Sequence, residues 1–322
     1  MIISKTPFRV SLFGGGTDYE EFYSKFGSEL IGFCLKKYNY ISLRKTPSII
    51  PYKTRIAYSK TEVLNNNSDI QHNGVRGVLE YFNIRYGVDI NNMSELPAQT
   101  GTGSSSSFIV GLLNAIYALK NITPDKRSLA EEAIHIERVL LNEPGGIQDQ
   151  IWAAYGGLNS ITIDTSGDFN VRPLPVSEEF KRQFINRSIL IYTGSTRRSF
   201  KIASEIGKLK NEDHKKRILS ISNQAYESFY DFDINKIGRL LHSTWSAKKK
   251  LSKLVSSEHV EKLYANLKES GMIGGKLMGA GGSGFIFGIV KDPKDKANIK
   301  KIYRNKYISL DIDELGSQII NY

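Results

Sequence analysis

Hydrophobic and polar positions near the start of the chain alternate with the period of a β-strand. The runs FRVSLF (residues 8–13) and YNYISLR (residues 38–44) both show this alternation. A glycine-rich turn at Gly14–Gly16 and the short amphipathic stretch DYEEFYSKF lie between them. Beyond residue 107 the pattern changes to FIVGLLNAIYAL, which is apolar at most positions and predicts a buried helix. The first part of the chain is therefore predicted to combine strands with buried helices.

The middle of the chain carries further helix and strand patterns. Residues 74–87 predict an amphipathic helix ending at Gly87, and residues 88–96 predict a strand. Thr123 as N-cap, with Pro124 at the first helical position, predicts a second helix from about Asp125 to Leu141. Strands are predicted again within residues 156–163 and 188–194.

Polar, turn-rich segments mark the predicted connections. Residues 60–74 predict a surface connection, and residues 164–180 resemble a linker most closely, which places a domain boundary near residue 175. The sequence thus predicts an N-terminal domain over residues 1–175 and a C-terminal domain over residues 176–322. In the latter, helices are expected at about 198–230, 234–254 and 260–271, followed by a glycine-rich loop and the strand GFIFGIV.

Composition changes this picture little. An apolar fraction of 40% without any stretch near the roughly 20 residues of a membrane helix predicts a soluble protein, and the lack of a secretory pattern at the N-terminus predicts a cytoplasmic one. Cys34 is the only cysteine, which excludes an intramolecular disulfide and favours a core position. The five histidines show no close metal-ligand spacing and are assigned no role.

The net charge of +11 is compatible with nucleic acid, an acidic membrane surface or an anionic small molecule as partner. The densest basic runs, at residues 246–251 and 298–306, have helical periodicity, so we interpret them as solvated helix faces.

Candidate chemistry begins at PAQTGTGSSSS, directly before the buried helix. Small residues at a helix N-terminus let an anion approach free backbone N–H groups, so a phosphate cradle is predicted, with a flexible loop and serine cap as the alternative. The cradle residues are Gly101, Thr102, Gly103, Ser104, Ser105 and Ser106. The Walker A ending Gly-Lys-Ser/Thr is absent.

A second glycine-rich segment, GGKLMGAGGSG, precedes a β-type run instead of a helix, which argues against a dinucleotide-binding fingerprint. As a loop on the substrate side, it offers the backbone N–H groups of Gly281 and Gly282, and the ammonium group of Lys276, to an anion.

Three segments in this order, PFRVSLFGGGTDY, PAQTGTGSSSS and GGKLMGAGGSG, resemble the signature of the GHMP kinases, the family of galactokinase, homoserine kinase, mevalonate kinase and phosphomevalonate kinase. Ser106 replaces the alanine of that family's phosphate loop. The resemblance implies an α+β fold of two domains, the first similar to a ribosomal-protein domain and the second ferredoxin-like, with ATP and Mg²⁺ bound in the cleft between them.

The resemblance also implies roles for individual residues. GIQDQ is similar to the galactokinase sequence GIMDQ, so the resemblance implies that Asp149 is the catalytic base. Members similar to mevalonate kinase have a loop that is one residue shorter there. We favour the placement of Asp149 that follows from galactokinase. Arg9 would lie beside Asp149 and keep it ionised, and Ser105 with Glu137 would hold Mg²⁺. Gly15, Gly16, Thr17 and Asp18 would bind the sugar. Taken singly, Glu137 is also compatible with a helix-surface ion pair and Asp149 with a helix cap.

Within the family the motifs are most similar to members acting on a phosphorylated heptose. This implies transfer from ATP to the anomeric hydroxyl of D-glycero-D-manno-heptose 7-phosphate, giving the 1,7-bisphosphate used for nucleotide-activated heptose and surface glycans. Cations that could bind the distal phosphate are Arg197, Arg198, Lys36 and Lys37. A kinase for a free galactose- or fucose-like sugar is the alternative, and an RNA-binding module is a remote one. We expect no nucleic-acid or membrane partner, and the sequence leaves the oligomeric state open.

Overall fold

The computed structural model describes residues 1–194, 200–207 and 212–321. Strands and helices are mixed throughout these ranges. The strands, in chain order, are β1 Ile2–Phe13, β2 Ser28–Lys45, β3 Thr54–Ala57, β4 Thr61–Leu64, β5 Val88–Ser94, β6 Leu158–Ile163, β7 Phe169–Pro173, β8 Ser188–Tyr192, β9 Met272–Leu277, β10 Phe285–Val290 and β11 Gln318–Asn321.

The helices connect these strands and cover both sheets. They are α1 Glu20–Phe26, α2 Asn73–Tyr81, α3 Ser104–Leu119, α4 Lys126–Ile134, α5 Gln148–Tyr155, α6 Glu178–Asn186, α7 Phe200–Gly207, α8 Glu212–Tyr230, α9 Ile234–Lys248, α10 Glu258–Glu269 and α11 Pro293–Ile302. A π-helical turn, His135–Leu140, continues directly from α4. In the part of the chain that the structure describes, no helix combines the length and the apolar character needed to cross a membrane.

The larger sheet has the strand order β11-β1-β2-β5-β3-β4, and the first half of β2 also pairs with β6, which in turn pairs with β7. Its central strands are buried on both faces. Phe8 and Val10 of β1 belong to one core cluster, whereas Cys34 and Ile41 of β2 belong to the other. The alternating side chains of the central strands thus contribute to two cores, which explains why so many of their positions are apolar.

The smaller sheet has the order β8-β10-β9 and is antiparallel. Helices α8 and α9 contact β1 or β2 of the larger sheet, and α9 also contacts β9 and β10. The core on this side therefore joins the two sheets, and it includes the buried indole of Trp245 in α9.

Several helix boundaries differ from the sequence prediction. The helix expected to reach Gly87 ends at Tyr81, and Asn83 then adopts a positive φ of 50°. The helix after Pro124 is capped by Asp125 and not by Thr123, because the Asp125 side chain accepts a hydrogen bond from the Ser128 N–H.

The polar segments predicted as connections contain short strands. Residues 60–74 include β4, and residues 164–180 include β7, which forms a hairpin with β6. The boundary near residue 175 stays a prediction; the structure adds that β11, from the C-terminal end of the chain, pairs with β1 of the larger sheet.

Candidate active site

A cleft of about 1230 Å³ brings together residues from both halves of the chain. Its walls include Arg9 of β1, the first residues of α3, and Asp149 of α5. Lys248 at the end of α9 and Lys276 of β9 line the same space. The site therefore combines β1, α3 and α5 with α9 and with β9 of the smaller sheet.

The phosphate loop precedes α3 and exposes the start of that helix. Gly103 is the N-cap in a left-handed conformation, with φ 74° and ψ 31°, and its carbonyl accepts the first helical hydrogen bond, from the Ser107 N–H at 2.9 Å. The N–H groups of Ser104, Ser105 and Ser106 therefore precede the first helical donor, the Ser107 N–H, and are free to bind an anion.

Gly101 fixes the position of this loop against the second half of the chain. Its φ is +76°, and a Cβ atom added there would lie 2.5 Å from the Met278 carbonyl oxygen. Gly279 meets the same loop from the other side, since its own Cβ would lie 2.3 Å from the Gly101 Cα. Two glycines in close backbone contact therefore join the phosphate loop to the loop after β9.

Arg9 and Asp149 form a two-point ion pair in the cleft. The Arg9 Nε donates to Asp149 Oδ1 at 2.8 Å and its Nη2 donates to Oδ2 at 2.7 Å, while Nη1 donates to the Gly101 carbonyl. The Arg9 side chain is 6% exposed and that of Asp149 is 24% exposed. The guanidinium thus fixes the carboxylate beside the phosphate loop and leaves one side of it accessible from the cleft.

Asp18 is a second carboxylate at this end of the cleft and is fully buried. Its Oδ1 accepts from the Gly16 N–H at 2.9 Å, and its Oδ2 accepts from the Gln148 side-chain amide at 2.9 Å. Burial raises the pKa of Asp18, and the neighbouring negative charge of Asp149 adds to the rise. A Cβ on Gly146 would lie only 1.9 Å from Asp18 Oδ2, so glycine is required there.

Glu137 lies on the π-helical turn, next to the start of α3. The Leu141 N–H bonds to the Ile136 carbonyl there, which is the five-residue spacing typical of such turns at functional sites. Glu137 Oε2 accepts from the Ser106 hydroxyl at 2.6 Å and from the Gln150 amide at 2.5 Å. Its Oε1 is buried without a partner among the described residues, and burial raises the pKa of this carboxyl.

Two buried lysines enter the cleft from the second half of the chain. Lys276 donates to the carbonyls of Ser11 at 2.8 Å and Leu12 at 3.1 Å, and burial lowers its pKa well below the usual lysine range. Lys248 donates to the Gly279 carbonyl; its pKa is lowered to about 8 by burial and by the charge of Arg9.

The far end of the cleft is aromatic. The His72 ring lies 4.8 Å from the Tyr58 ring and 4.8 Å from the Phe108 ring, measured between centroids, and all three residues line the cleft. His72 Nδ1 also accepts the Val75 N–H, which caps α2. This end offers flat apolar surface to a ligand, in contrast to the charged end around Asp149.

Some residues predicted to bind ligands are not part of the cleft wall. Thr17 is buried and its hydroxyl bonds to the Gly14 carbonyl at 2.7 Å; Thr102 is buried and its carbonyl accepts the Arg9 N–H at 3.1 Å. Gly281 and Gly282 pack against Val255, whose carbonyl accepts the Gly282 N–H at 2.8 Å. Gly15 and Gly16, which were also predicted to bind the sugar, do line the cleft, and Gly279 lines it in place of Gly281 and Gly282.

Of the four cations expected to bind the distal phosphate, the structure places two, Lys36 and Lys37, away from the cleft. Lys36 pairs with Asp311 at 2.7 Å on the surface, and Lys37 pairs with Glu95 at 3.2 Å; neither lysine lines the cleft. Arg197 and Arg198 lie outside the described residues.

Sequence reasoning missed Lys248 and His72. The basic run at residues 246–251 was interpreted as a solvated face, yet Lys248 is only 4% exposed. A signal was available, because Lys248 follows Leu241, Thr244 and Trp245 at the helical spacing of the buried face of α9. For His72 no local signal exists, since its aromatic neighbours come from β3–β4 and α3.

Comparisons with known proteins identify the family to which the chain belongs. The family model for the GHMP kinases N terminal domain matches residues 73–157, and the model for the GHMP kinases C terminal matches residues 225–309. Together the two ranges span more than half of the chain and include the phosphate loop, Glu137, Asp149 and Lys248.

Two relatives that match nearly the full length of the chain are sugar kinases. D-glycero-alpha-D-manno-heptose 7-phosphate kinase of Campylobacter jejuni is 28% identical over 95% of this chain and 94% of its own length. Galactokinase of Pyrococcus furiosus is also 28% identical, over 92% of this chain and 90% of its own. The crystal structure of a D-glycero-D-manno-heptose 1-phosphate kinase from Bacteroides thetaiotaomicron superposes with a TM-score of 0.82 at 21% identity, covering 100% of this chain and 99% of that one, and shows the two-domain fold.

Proposed function

Because the chain belongs to the GHMP kinase family and is an ATP-dependent sugar kinase, we propose that its acceptor is the anomeric hydroxyl of D-glycero-D-manno-heptose 7-phosphate. The product would be the 1,7-bisphosphate. The Campylobacter jejuni relative, similar over almost the full length of both chains, supports this acceptor.

The observation that carries the proposal is the pair of carboxylates at one end of the cleft. Asp18 is held by the Gly16 N–H and by the Gln148 amide, and Gln148 directly precedes Asp149 in α5. A buried carboxylate with fixed donors can accept hydrogen bonds from neighbouring sugar hydroxyls, which orients the sugar. The hydroxyl that is phosphorylated would then face Asp149.

Asp149 is proposed as the group that receives the hydroxyl proton. Both of its oxygens accept hydrogen bonds from Arg9, which hold the carboxylate in one orientation. A strong base is not needed, because phosphoryl transfer passes through a loose transition state, in which the attacking hydroxyl keeps its proton until late. Positioning of the hydroxyl is therefore the larger contribution of Asp149.

ATP is the phosphoryl donor of this family, and its phosphates are proposed to bind the free N–H groups at the start of α3. The adenine base would extend toward the aromatic end of the cleft, where the rings of Tyr58, His72 and Phe108 form the wall. This orientation leaves the terminal phosphate next to Asp149, as in-line transfer requires.

Glu137 and Ser105 are proposed to hold Mg²⁺. The residues fit the ion, because Glu137 presents a buried carboxylate oxygen that has no hydrogen-bond partner within the described ranges, and hard cations prefer such oxygens. When bound, Mg²⁺ neutralises charge on the phosphate oxygens. Ser106, which was predicted only for the phosphate loop, fixes the Glu137 carboxylate through its 2.6 Å hydrogen bond.

A kinase for a free sugar is the second candidate, favoured by the equal identity to the galactokinase of Pyrococcus furiosus. It needs the same Asp18 and Asp149 but no cation for a distal phosphate. The two candidates differ only in the acceptor.

The experiment that tests the proposal measures ADP release with Mg·ATP for heptose 7-phosphate, heptose 1-phosphate, hexose 6-phosphates and free hexoses. We expect turnover of the 7-phosphate and a new anomeric phosphorus signal by NMR. Heptose 1-phosphate is the matched control, because its anomeric oxygen is already blocked. Turnover of the 1-phosphate would contradict transfer to the anomeric hydroxyl, and turnover of a free hexose alone would establish the second candidate.

A further inference from the structure

Lys248 is a buried cation of the cleft to which the mechanism above assigns no task. It ends α9, on the face of the helix that carries Trp245, and its side chain is almost fully buried. Placing an ammonium group there costs desolvation free energy, which burial of an apolar side chain would not. The position therefore calls for an explanation beyond packing.

A series of contacts connects Lys248 to the phosphate loop and to Asp149. Its Nζ donates to the Gly279 carbonyl, and Gly279 is in backbone contact with Gly101. The Gly101 carbonyl in turn accepts from Arg9, which holds Asp149. The Lys248 ammonium group is thus separated only by Gly279 from Gly101, the residue of the phosphate loop that Arg9 contacts.

Lys248 also differs from Lys276, the other buried lysine of the cleft, in how many of its donors are used. Lys276 donates to two backbone carbonyls, which leaves one of its three N–H donors. In the described ranges, Lys248 Nζ has a hydrogen bond to Gly279 alone. An ammonium group has three N–H donors, so two remain for a ligand in the cleft.

We propose that the Lys248 ammonium binds the terminal phosphoryl group of ATP and stays in contact with it during transfer to the acceptor. This inference rests on the proposed function for the transfer step, whereas the contact with ATP requires only that the nucleotide binds in the cleft. A cation held at this point neutralises the charge that moves between donor and acceptor oxygens, and in a water-poor site that contact is strong.

Nucleotide binding tests the contact independently of the acceptor. Binding of ADP and of a non-hydrolysable ATP analogue is measured by calorimetry, with Mg²⁺ present, for wild type and for Lys248→Met. We expect the variant to bind the ATP analogue at least tenfold more weakly and ADP within twofold of wild type, because only ATP carries the terminal phosphoryl group. An equal loss for both nucleotides, or no loss for either, would overturn the proposal.

Lys249→Met is the matched control. Lys249 is the next residue and belongs to the same basic run, but it pairs with Glu261 at 2.8 Å and is not part of the cleft wall. The Lys249→Met variant should bind ADP and the ATP analogue as wild type does. Lys248→Gln is the second variant if methionine disturbs folding, since its amide can still donate to the Gly279 carbonyl without carrying a charge.

A pH series separates a charge contact from a structural one. The charged groups that act on Lys248 are Arg9 and Lys276, which disfavour its protonated form, and Asp18 and Asp149, which favour it. Because the pKa of Lys248 is about 8, the ammonium group loses its proton as the pH rises from 7 to 9. The preference of the wild-type protein for the ATP analogue over ADP should therefore fall over this range. Lys248→Arg should keep the preference over this range, because arginine stays charged; an unchanged wild-type preference would count against the proposal.

The proposal and the proposed function can fail separately. If none of the sugars is phosphorylated by the wild-type enzyme, the acceptor assignment fails, and the ATP-against-ADP comparison still decides the role of Lys248. If heptose 7-phosphate is phosphorylated but Lys248→Met retains a wild-type kcat, the contact during transfer is excluded.

Discussion

Arg9 and Asp149 are 140 positions apart in the sequence and are joined by two parallel hydrogen bonds of 2.8 and 2.7 Å. Asp149→Asn should preserve the fold and ATP binding, because the side chain keeps its size, but lose about 10²- to 10⁴-fold in kcat. Turnover by the purified variant, with its Tm and ATP affinity as controls, checks this. A kcat near that of wild type would exclude Asp149 as the group that receives the proton.

The pair should act as one unit. Arg9→Lys removes the planar fork that grips both carboxylate oxygens, and we expect a lower kcat with little change in Tm. In the double variant Arg9→Lys/Asp149→Asn, the loss should equal that of Asp149→Asn alone, because arginine acts through the carboxylate. If the loss of kcat in the double variant equalled the product of the losses in the two single variants, the two residues would work independently.

Glu137→Gln tests the metal site. The glutamine oxygen can accept from Ser106 and Gln150, and its amide nitrogen takes the position of Glu137 Oε1, so the fold should be retained. We expect the Mg²⁺ concentration for half-maximal turnover to rise at least tenfold, since a neutral amide is a poor ligand. Glu131→Gln, an exposed carboxylate on α4, is the control and should change nothing. An unaltered Mg²⁺ requirement in Glu137→Gln would remove Glu137 from the site.

Asp18→Asn should raise the stability of the protein and lower its activity. Burial raises the Asp18 pKa in the folded state above its unfolded value, so the folded state loses stability as the pH rises from the unfolded to the folded pKa, and that loss persists at neutral pH. The variant, free of this charge, should show a higher Tm at pH 7. The Gln148 side-chain oxygen, which has no partner among the residues that the structure describes, can turn toward the new amide.

The same variant should bind the sugar less well. Loss of a charged acceptor costs about 1.5–3 kcal/mol, which predicts a roughly 10- to 150-fold lower kcat/KM for the acceptor. In wild type, acceptor binding should weaken as the pH falls through the raised pKa of Asp18, and Asp18→Asn should lack that dependence. A lower Tm together with unchanged kcat/KM would contradict both expectations.

Gly101→Ala tests the contact between the two loops. Its Cβ would meet the Met278 carbonyl oxygen at 2.5 Å, in addition to the strain of a φ of +76°. Gly16→Ala is the control for strain alone, because its φ is +102° but the nearest side-chain atoms are 3.6 Å away. We expect about 1–2 kcal/mol of destabilisation for Gly16→Ala in urea unfolding and clearly more for Gly101→Ala. Equal losses would mean that the loops do not constrain each other.

The sequence predicted elements whose signal is local. Helix α3 follows its glycines and serines, and β10 is a continuous apolar run, so both were expected close to where they lie. The short strands β4 and β7 were missed because their polar residues become strands only by pairing with β3 and β6. For the cap of α4, Asp125 competes with Thr123 for the same role, and only the backbone geometry decides.

The site was predictable to the extent that motifs carry it. The motifs indicated Arg9, Asp149 and Glu137, and the structure places all three in one cleft; their roles stay predictions. That Ser106 is the buried hydroxyl bonded to Glu137, while Ser105 is exposed, depends on the direction in which each residue of α3 points. Lys248 was missed because a lysine-rich run ordinarily marks solvent, and burial of one member is a property of tertiary packing.

The pairing of β11 with β1 determines when the larger sheet can be completed during synthesis. The outer edge of β1 gains its neighbour only when residues 318–321 have left the ribosome, because Ile319 pairs with Ser4 and Asn321 pairs with Ile3. Until then that edge presents unpaired N–H and C=O groups, the kind of surface to which another nascent strand can add. Completion of the sheet that carries Arg9 thus waits for the synthesis of residues 318–321, long after β1 itself has been made.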